Sequence, residues 1–276
     1  MQPMQNPTPD TAKATICIVN YKTLDLTRLC LRSLRKHTPS PYEVLVVDND
    51  SRDASTEYLR SLPWIRLIER RPEVPDPGPE VAHSEALDLG LAHCRTEFFV
   101  SLHSDTVVLG PGWLDNLIGR FDHPSVACVG GGKLEPRSAW TLALKRLIDI
   151  KALYRRLFWD PDRRARYRYF NRTVYSAYRT EVLKREGLSF EFEYARRLTV
   201  GHLLYLKLKE RGYRTVELSD ARVRPHVVHL IHATQVLHSG RFDMDARTLN
   251  RCQRTLRRAL ASEAVQSILA DAALDQ

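Results

Sequence analysis

The residues best placed to do chemistry fall in two short runs. Asp48-Asn49-Asp50-Ser51 follows the apolar run Val44-Leu45-Val46-Val47, and His103-Ser104-Asp105 follows Phe98-Phe99-Val100-Ser101-Leu102. A continuous apolar run suits a parallel strand covered on both faces. Polar groups just past it sit at the strand's carboxyl end, where open α/β sheets bind ligands. In the first run a carboxylate can accept the imide N–H of a pyrimidine base while its neighbours hold a ribose; an Asx-capped turn from strand to helix would use the same residues. In the second, positions i and i+2 project from one side of a strand, so His103 and Asp105 could both ligate a cation, or Asp105 could cap a helix. Mn²⁺ or Mg²⁺ held there would neutralise a diphosphate leaving group, and an imidazole ligand moves the preference towards Mn²⁺. Two acid-tipped strands in one sheet therefore point to a nucleotide and a divalent metal side by side.

A third group is His226, His229 and His232, with His238 beyond. A strand period of two puts His226 and His232 on one face and His229 on the other, so the three need not share a metal, and each could be structural. A fourth feature is the basic, aromatic stretch from Trp140 to Arg172, where Trp140, Leu144, Leu147, Ile148 and Leu157 give a rough amphipathic helix flanked by cations. It could lie on an anionic bilayer surface or pack on its own domain. The formal charge of +9 favours anionic partners, but no nucleic-acid motif accompanies it, so no nucleic-acid partner is expected.

The elements that must position these residues alternate. Strands are expected over 14–19, 44–47, 64–68, 98–102 and 126–130, with helices over 24–36, from Asp53 or Ser51 as cap to about 61, 80–94 and 113–120. Such alternation implies a mostly parallel sheet with right-handed crossovers. The second half carries a strand near 173–177, helices near 179–185 and 200–211 with Gly212 closing the latter, strands over 216–218 and 222–230, and helix from 243 onward. Hydrophobic content of 43% supports a substantial core. No apolar run reaches 18 residues, so no transmembrane helix is expected, and residues 1–10 are polar and Pro-rich with no signal-like apolar stretch. The five cysteines, none at CxxC spacing, are expected to be reduced structural thiols of a cytoplasmic protein.

Taken in order, these segments resemble the family 2 glycosyltransferases, which have the GT-A fold. Ile18-Val19-Asn20-Tyr21 looks like that family's first strand and turn, and Leu29 to Leu34 like its following helix. Val46-Val47-Asp48-Asn49-Asp50-Ser51-Arg52-Asp53 matches a V-V-D-N-x-S-x-D pattern, and Glu97 to Asp105 looks like the strand leading into a D-x-D metal motif. Gly112-Trp113-Leu114, Gly212-Tyr213 and Val228-His229-Leu230 fall where the family has similar turns and a late V-H element, so the likeness spans roughly 14–234.

The resemblance implies an α/β, GT-A-like fold with a mostly parallel sheet and a C-terminal helical extension. It divides the chain into a flexible start (1–12), a nucleotide-sugar half (13–132), an acceptor half (133–240) and C-terminal helices (241–276). It implies metal-dependent, inverting transfer from a UDP-, dTDP- or GDP-sugar to a glycan or lipid-linked glycan, as in polysaccharide biosynthesis, in the cytoplasm or peripherally at the inner membrane face. By carry-over Asp48 reads the base; Val19, Asn20, Tyr21, Asp50, Ser51, His83 and Ser104 complete the donor site; His103, Asp105 and His229 take the metal. Three departures stand out. His103 replaces the first acid of D-x-D, Asp88 stands where an Asn is common, and Leu198-Thr199-Val200-Gly201-His202 occupies the place of a Glu-Asp pair. Glu191, Glu193 and His202 are then the candidates for the catalytic base. The missing pair also admits a second reading, a catalytically degenerate homologue that binds nucleotide sugars or glycans.

Overall fold

Runs without polar alternation become the middle of the sheet. In the computed structural model, which describes residues 12–39, 41–74, 77–132, 170–192, 198–230, 233–238 and 245–276, strand β1 (Ala14–Asn20) is buried at every position. It lies between β2 (Tyr42–Asn49) and β4 (Phe98–His103), parallel to both, and β3 (Arg66–Arg70) continues in parallel outside β2. Beyond β4 come β7 (Tyr175–Arg179), antiparallel to both its neighbours, then β6 (Val126–Gly131) and β8 (Arg214–Leu218), giving the order β3-β2-β1-β4-β7-β6-β8. A separate antiparallel ladder joins β5 (Thr106–Val108) to β9 (Val227–His229).

Helix α1 (Leu24–His37) buries Leu26, Leu29, Leu31 and Leu34. Asp53 caps α2 (Ala54–Arg60), its carboxylate accepting the Ser55 N–H at 2.9 Å, the first-turn bond expected of an acidic cap. Helix α3 (Pro79–His93) comes so close to β1 at Gly90 that a Cβ there would lie 2.5 Å from Cys17 Sγ. Helices α4 (Trp113–Ile118), α5 (Thr180–Arg185) and α6 (His202–Glu210) complete the flanking layers. Gly212 follows α6 at φ +82°, the left-handed turn its sequence position predicts.

One expected strand is not continuous. Over 222–230 the chain forms α7 (Asp220–Val223), a turn, and only then β9. Pro225 in the intervening turn has no N–H to give to a ladder. After it comes α8 (Ala233–Leu237), then α9 (Ala246–Leu260) and α10 (Glu263–Ala270), with a short 3₁₀ turn over Ala272–Asp275. The C-terminal helices pack Leu256 and Ile268 against Leu26, Leu29, Val107 and Leu230, so they brace the β5–β9 ladder. Buried Arg32 fastens this layer through a paired contact to Asp275, a bond to the Leu269 carbonyl, and Tyr58, whose hydroxyl donates to the same carboxylate at 2.8 Å. The five cysteines are buried and unpaired. Among the described residues no helix is long and apolar enough to cross a membrane. Most of the basic amphipathic segment expected from 140 to 172 lies outside the described residues.

Candidate functional site

Strands β1 and β2 end in register, Asn20 opposite Asp48, and the two side chains tie the strand tips together below the surface. The Asn20 amide nitrogen lies 2.6 Å from Asp48 Oδ1, 2.8 Å from Ser55 Oγ and 3.1 Å from Ser51 Oγ, and its oxygen accepts from the Thr23 and Thr27 hydroxyls. Asp48 also accepts from the Ser51 hydroxyl at 2.5 Å and Thr56 at 3.0 Å. Asp48 is only 2% exposed, and its oxygens face these donors. Asp48, Asn20 and Ser51 therefore stand behind the wall of the adjacent cavity, where they position it, and are not among its lining residues. The knot holds three non-glycine residues in the left-handed region, Lys22 (φ 51°), Asp50 (φ 63°) and Arg52 (φ 50°). Such a conformation costs on the order of 1 kcal/mol each and persists only where surrounding bonds dictate it.

What the knot presents outward is Tyr21, Lys22, Asn49 and Asp50, on the wall of a cavity of about 600 Å³. Arg70 anchors the Asn49 side-chain oxygen and pairs with Glu85. Val19, His83 and Ser104 also line this cavity, as do His103, Asp105 and His229. Seven of the donor and metal residues picked out in the sequence thus meet Asp50 around one space, while Asn49 replaces Asp48 as the polar group facing it from β2.

The ladder of β5 and β9 creates the second half of the site. Its register sets Thr106 opposite His229, and Leu230 N–H donates to the Asp105 carbonyl at 2.9 Å. His229 Nε2 consequently lies 3.0 Å from Asp105 Oδ1, with His103 Nδ1 at 3.9 Å from the same oxygen. Ligand atoms of His103, Asp105 and His229 all fall within 4.8 Å of one another. Asp105 Oδ1 is buried without a well-aligned hydrogen bond. Burial acts to raise the Asp105 carboxyl, yet the facing His229 ring and then His103 hold it below its usual range. Burial, with His83 beside it, lowers the His103 ring to about 3, and burial lowers His83 to about 4. Both rings are neutral near pH 7 and keep a lone pair. His103 Nε2 lies 3.2 Å from the Thr173 hydroxyl; a proton on Nε2, donated to Thr173, leaves Nδ1 free to ligate. Two imidazoles and one carboxylate oxygen converging on a point fit a divalent cation that accepts mixed nitrogen and oxygen ligands. The strand that would have set His226 and His229 on opposite faces does not form: His226 lies in the turn before β9, near Gly112, while His232 lies outside the described residues.

Two of the three candidate bases do not meet this space. Glu191 is exposed and pairs with Lys207 at 2.8 Å. His202 starts α6 with its ring stacked on Phe170, centroids 4.1 Å apart, and neither residue lines the cavity. Glu193 lies outside the described residues. The wall on that side is made by Arg172, Thr173, Val174, Thr199 and Val200. Arg172 reads in the sequence as one cation of a basic stretch, and only its place just before β7 could have marked it.

The chain matches the profile of a protein family described as Glycosyl transferase family 2 over residues 15–185. The uncharacterized protein MT1568 of Mycobacterium tuberculosis is 30% identical over 114 residues, 41% of this chain and 33% of that protein. The chain spans a third or less of the curated relatives it matches. Among solved structures it resembles the mannosyltransferase PcManGT of Pyrobaculum calidifontis in complex with GDP-Man and Mn²⁺, at TM-score 0.57 and 19% identity over 98% of this chain and 75% of that one. It also resembles glucosyl-3-phosphoglycerate synthase of Mycobacterium tuberculosis in complex with Mn²⁺, UDP and glucosyl-3-phosphoglycerate, at TM-score 0.51 and 17% identity over 91% and 80% of the two chains. These likenesses identify the fold as GT-A.

Proposed function

The chain belongs to glycosyl transferase family 2, and from that premise we propose that it is a metal-dependent, inverting glycosyltransferase using a nucleotide-sugar donor. The observation that carries the reading is the convergence of His103, Asp105 and His229 on the same cavity that Asn49 and Asp50 face from the tip of β2. The solved neighbours were captured with GDP-Man and Mn²⁺ and with UDP and Mn²⁺, which supports the pairing of nucleotide and cation.

In this reading Asn49 and Asp50 hydrogen-bond the nucleoside and Tyr21 offers an aromatic face beside it. His103, Asp105 and His229 would hold Mn²⁺ or Mg²⁺, which when bound would supply positive charge to offset that of a diphosphate leaving group. Thr173 would accept the His103 proton on Nε2, which leaves Nδ1 for the cation. Lys22 adds a cation at the cavity rim, and His83 and Ser104 line the space beside the ligands. Glu193 is the remaining candidate to take the acceptor's proton, since Glu191 and His202 stand away from the cavity. The acceptor is a glycan or lipid-linked glycan, and the basic segment 140–172 provides contact with an anionic membrane surface. The 13–132 half binds the donor and the 133–240 half the acceptor.

Thermal shift with UDP, GDP and dTDP, each with and without Mn²⁺, tests this. A stabilisation needing both nucleotide and Mn²⁺, and lost in Asp105→Asn, is the expected result; nucleotide binding that ignores metal and survives Asp105→Asn would overturn it. The cavity wall at Thr199 and Val200 carries no carboxylate among the described residues, and this favours a second reading, a nucleotide-sugar-binding homologue without turnover. Release of nucleoside diphosphate from a panel of sugar donors, with Glu193→Gln as control, separates the two.

A further inference from the structure

Arg172 is held as though to receive something. Its backbone is pinned on both sides: its N–H donates to the Gly131 carbonyl at 2.9 Å, and its own carbonyl accepts from the Tyr175 N–H and the Ser176 hydroxyl. The neighbouring Asn171 amide bonds two further carbonyls, Gly130 at 3.0 Å and Val216 at 2.7 Å. The guanidinium lies 4.2 Å from the Phe170 ring centroid, and Phe170 is backed by the stacked His202 ring. One N–H donates to Thr199 Oγ1 at 3.1 Å. Among the described residues most of the five donors of this arginine are left uncommitted and no carboxylate pairs with it. Burial lowers its pKa with no neighbouring acid to offset it. A partly desolvated cation of this kind is costly unless a counter-charge arrives.

The cation also lines the cavity, one residue before Thr173, which holds His103. A planar guanidinium with its stem and stack fixed is preorganised for a two-oxygen anion. The donor's diphosphate already has the cation site at His103, Asp105 and His229. Moreover, Arg172 leads into β7, on the far side of β4 from the β1 and β2 tips that face the nucleoside. We infer that Arg172 receives an oxyanion carried by the acceptor, a phosphate or a carboxylate. This rests on the donor reading above and narrows the acceptor to an anionic class, with Arg172 setting that specificity.

The test uses the full chain and calorimetric titration with inorganic phosphate, glycerol 3-phosphate and propionate, each with and without Mn²⁺ and the nucleoside diphosphate that stabilises best. Wild type binds one of the oxyanions, phosphate monoester and carboxylate being told apart by which titrant responds. Arg172→Gln weakens that binding by roughly tenfold or more, as expected for loss of a charge-assisted hydrogen-bonded pair, while Mn²⁺-dependent nucleoside diphosphate affinity stays as in wild type. Phe170→Leu, which keeps the charge and removes the stack, gives an intermediate loss and serves if Arg172→Gln does not fold. Equal oxyanion affinity in wild type and both variants overturns the inference, as does wild type binding none of the three. If Arg172→Gln weakens the nucleotide instead, Arg172 belongs to the donor and the acceptor assignment is wrong. Failure of the nucleotide to bind wild type sinks the donor reading alone, because the titrations without nucleotide still report on Arg172.

Discussion

Replacing Asp88 by Asn should make the protein more stable, and only above a definite pH. Asp88 lies on α3 and its Oδ1 accepts the Phe190 N–H at 2.7 Å, tying the loop after α5 to the helix that carries His83. Burial, aided by Glu191 and Glu85 and opposed by the Phe190 N–H, raises this carboxyl from 3.8 to about 6. In the unfolded chain it ionises near its ordinary value, so between about pH 4 and 6 the folded state binds more protons than the unfolded one. Stability must then fall as pH rises through that window and level off above it. A shift of this size corresponds to about 3 kcal/mol at most, and residual solvent access at the site reduces it to roughly 1–2 kcal/mol. Asn keeps the acceptor for Phe190 and has no charge to bury. Urea denaturation of wild type and Asp88→Asn at pH 5 and pH 8 reads the effect directly. The variant should gain roughly 1–2 kcal/mol at pH 8 and clearly less at pH 5. A variant less stable than wild type at pH 8, or a difference equal at both pH values, would refute the reasoning.

Two further substitutions probe the frame of the site. Asn20→Ala removes the 2.6 Å donor to Asp48 and leaves that buried carboxylate to Ser51 and Thr56 alone, so unfolding free energy should drop by about 1–3 kcal/mol; a loss under about 0.5 kcal/mol in urea melts would mean that the strand-tip knot does not hold the turn. Gly90→Ala places a Cβ 2.5 Å from Cys17 Sγ and should cost about 1–3 kcal/mol through overpacking. Adding Cys17→Ala should recover most of that loss in thermal melts, and additive losses would show that the contact is not the cause.

Much of this protein is written in local pattern. Apolar runs such as 44–47 and 98–102, followed at once by Asp48-Asn49-Asp50 and His103-Ser104-Asp105, specify buried parallel strands with polar tips, because period and burial are properties of neighbouring residues. The Asp53 cap and the Gly212 turn are legible for the same reason. The order of those segments was enough to point to the family. Local pattern could not say which polar atoms turn outward. Asp48 and Asn49 are adjacent, yet one is consumed by Asn20, Ser51 and Thr56 while the other faces the cavity. That choice depends on partners twenty-one and twenty-eight positions away in the chain, Arg70 for Asn49 and Asn20 for Asp48. The metal triad is likewise a product of tertiary structure. The β5–β9 ladder carries His229 across more than a hundred residues of chain to Asp105, and its short strands, one of them following Pro225, give little periodic signal. Arg172 became distinct from the other cations around it only through what its guanidinium meets: a stacked ring, a threonine and, among the described residues, no acid.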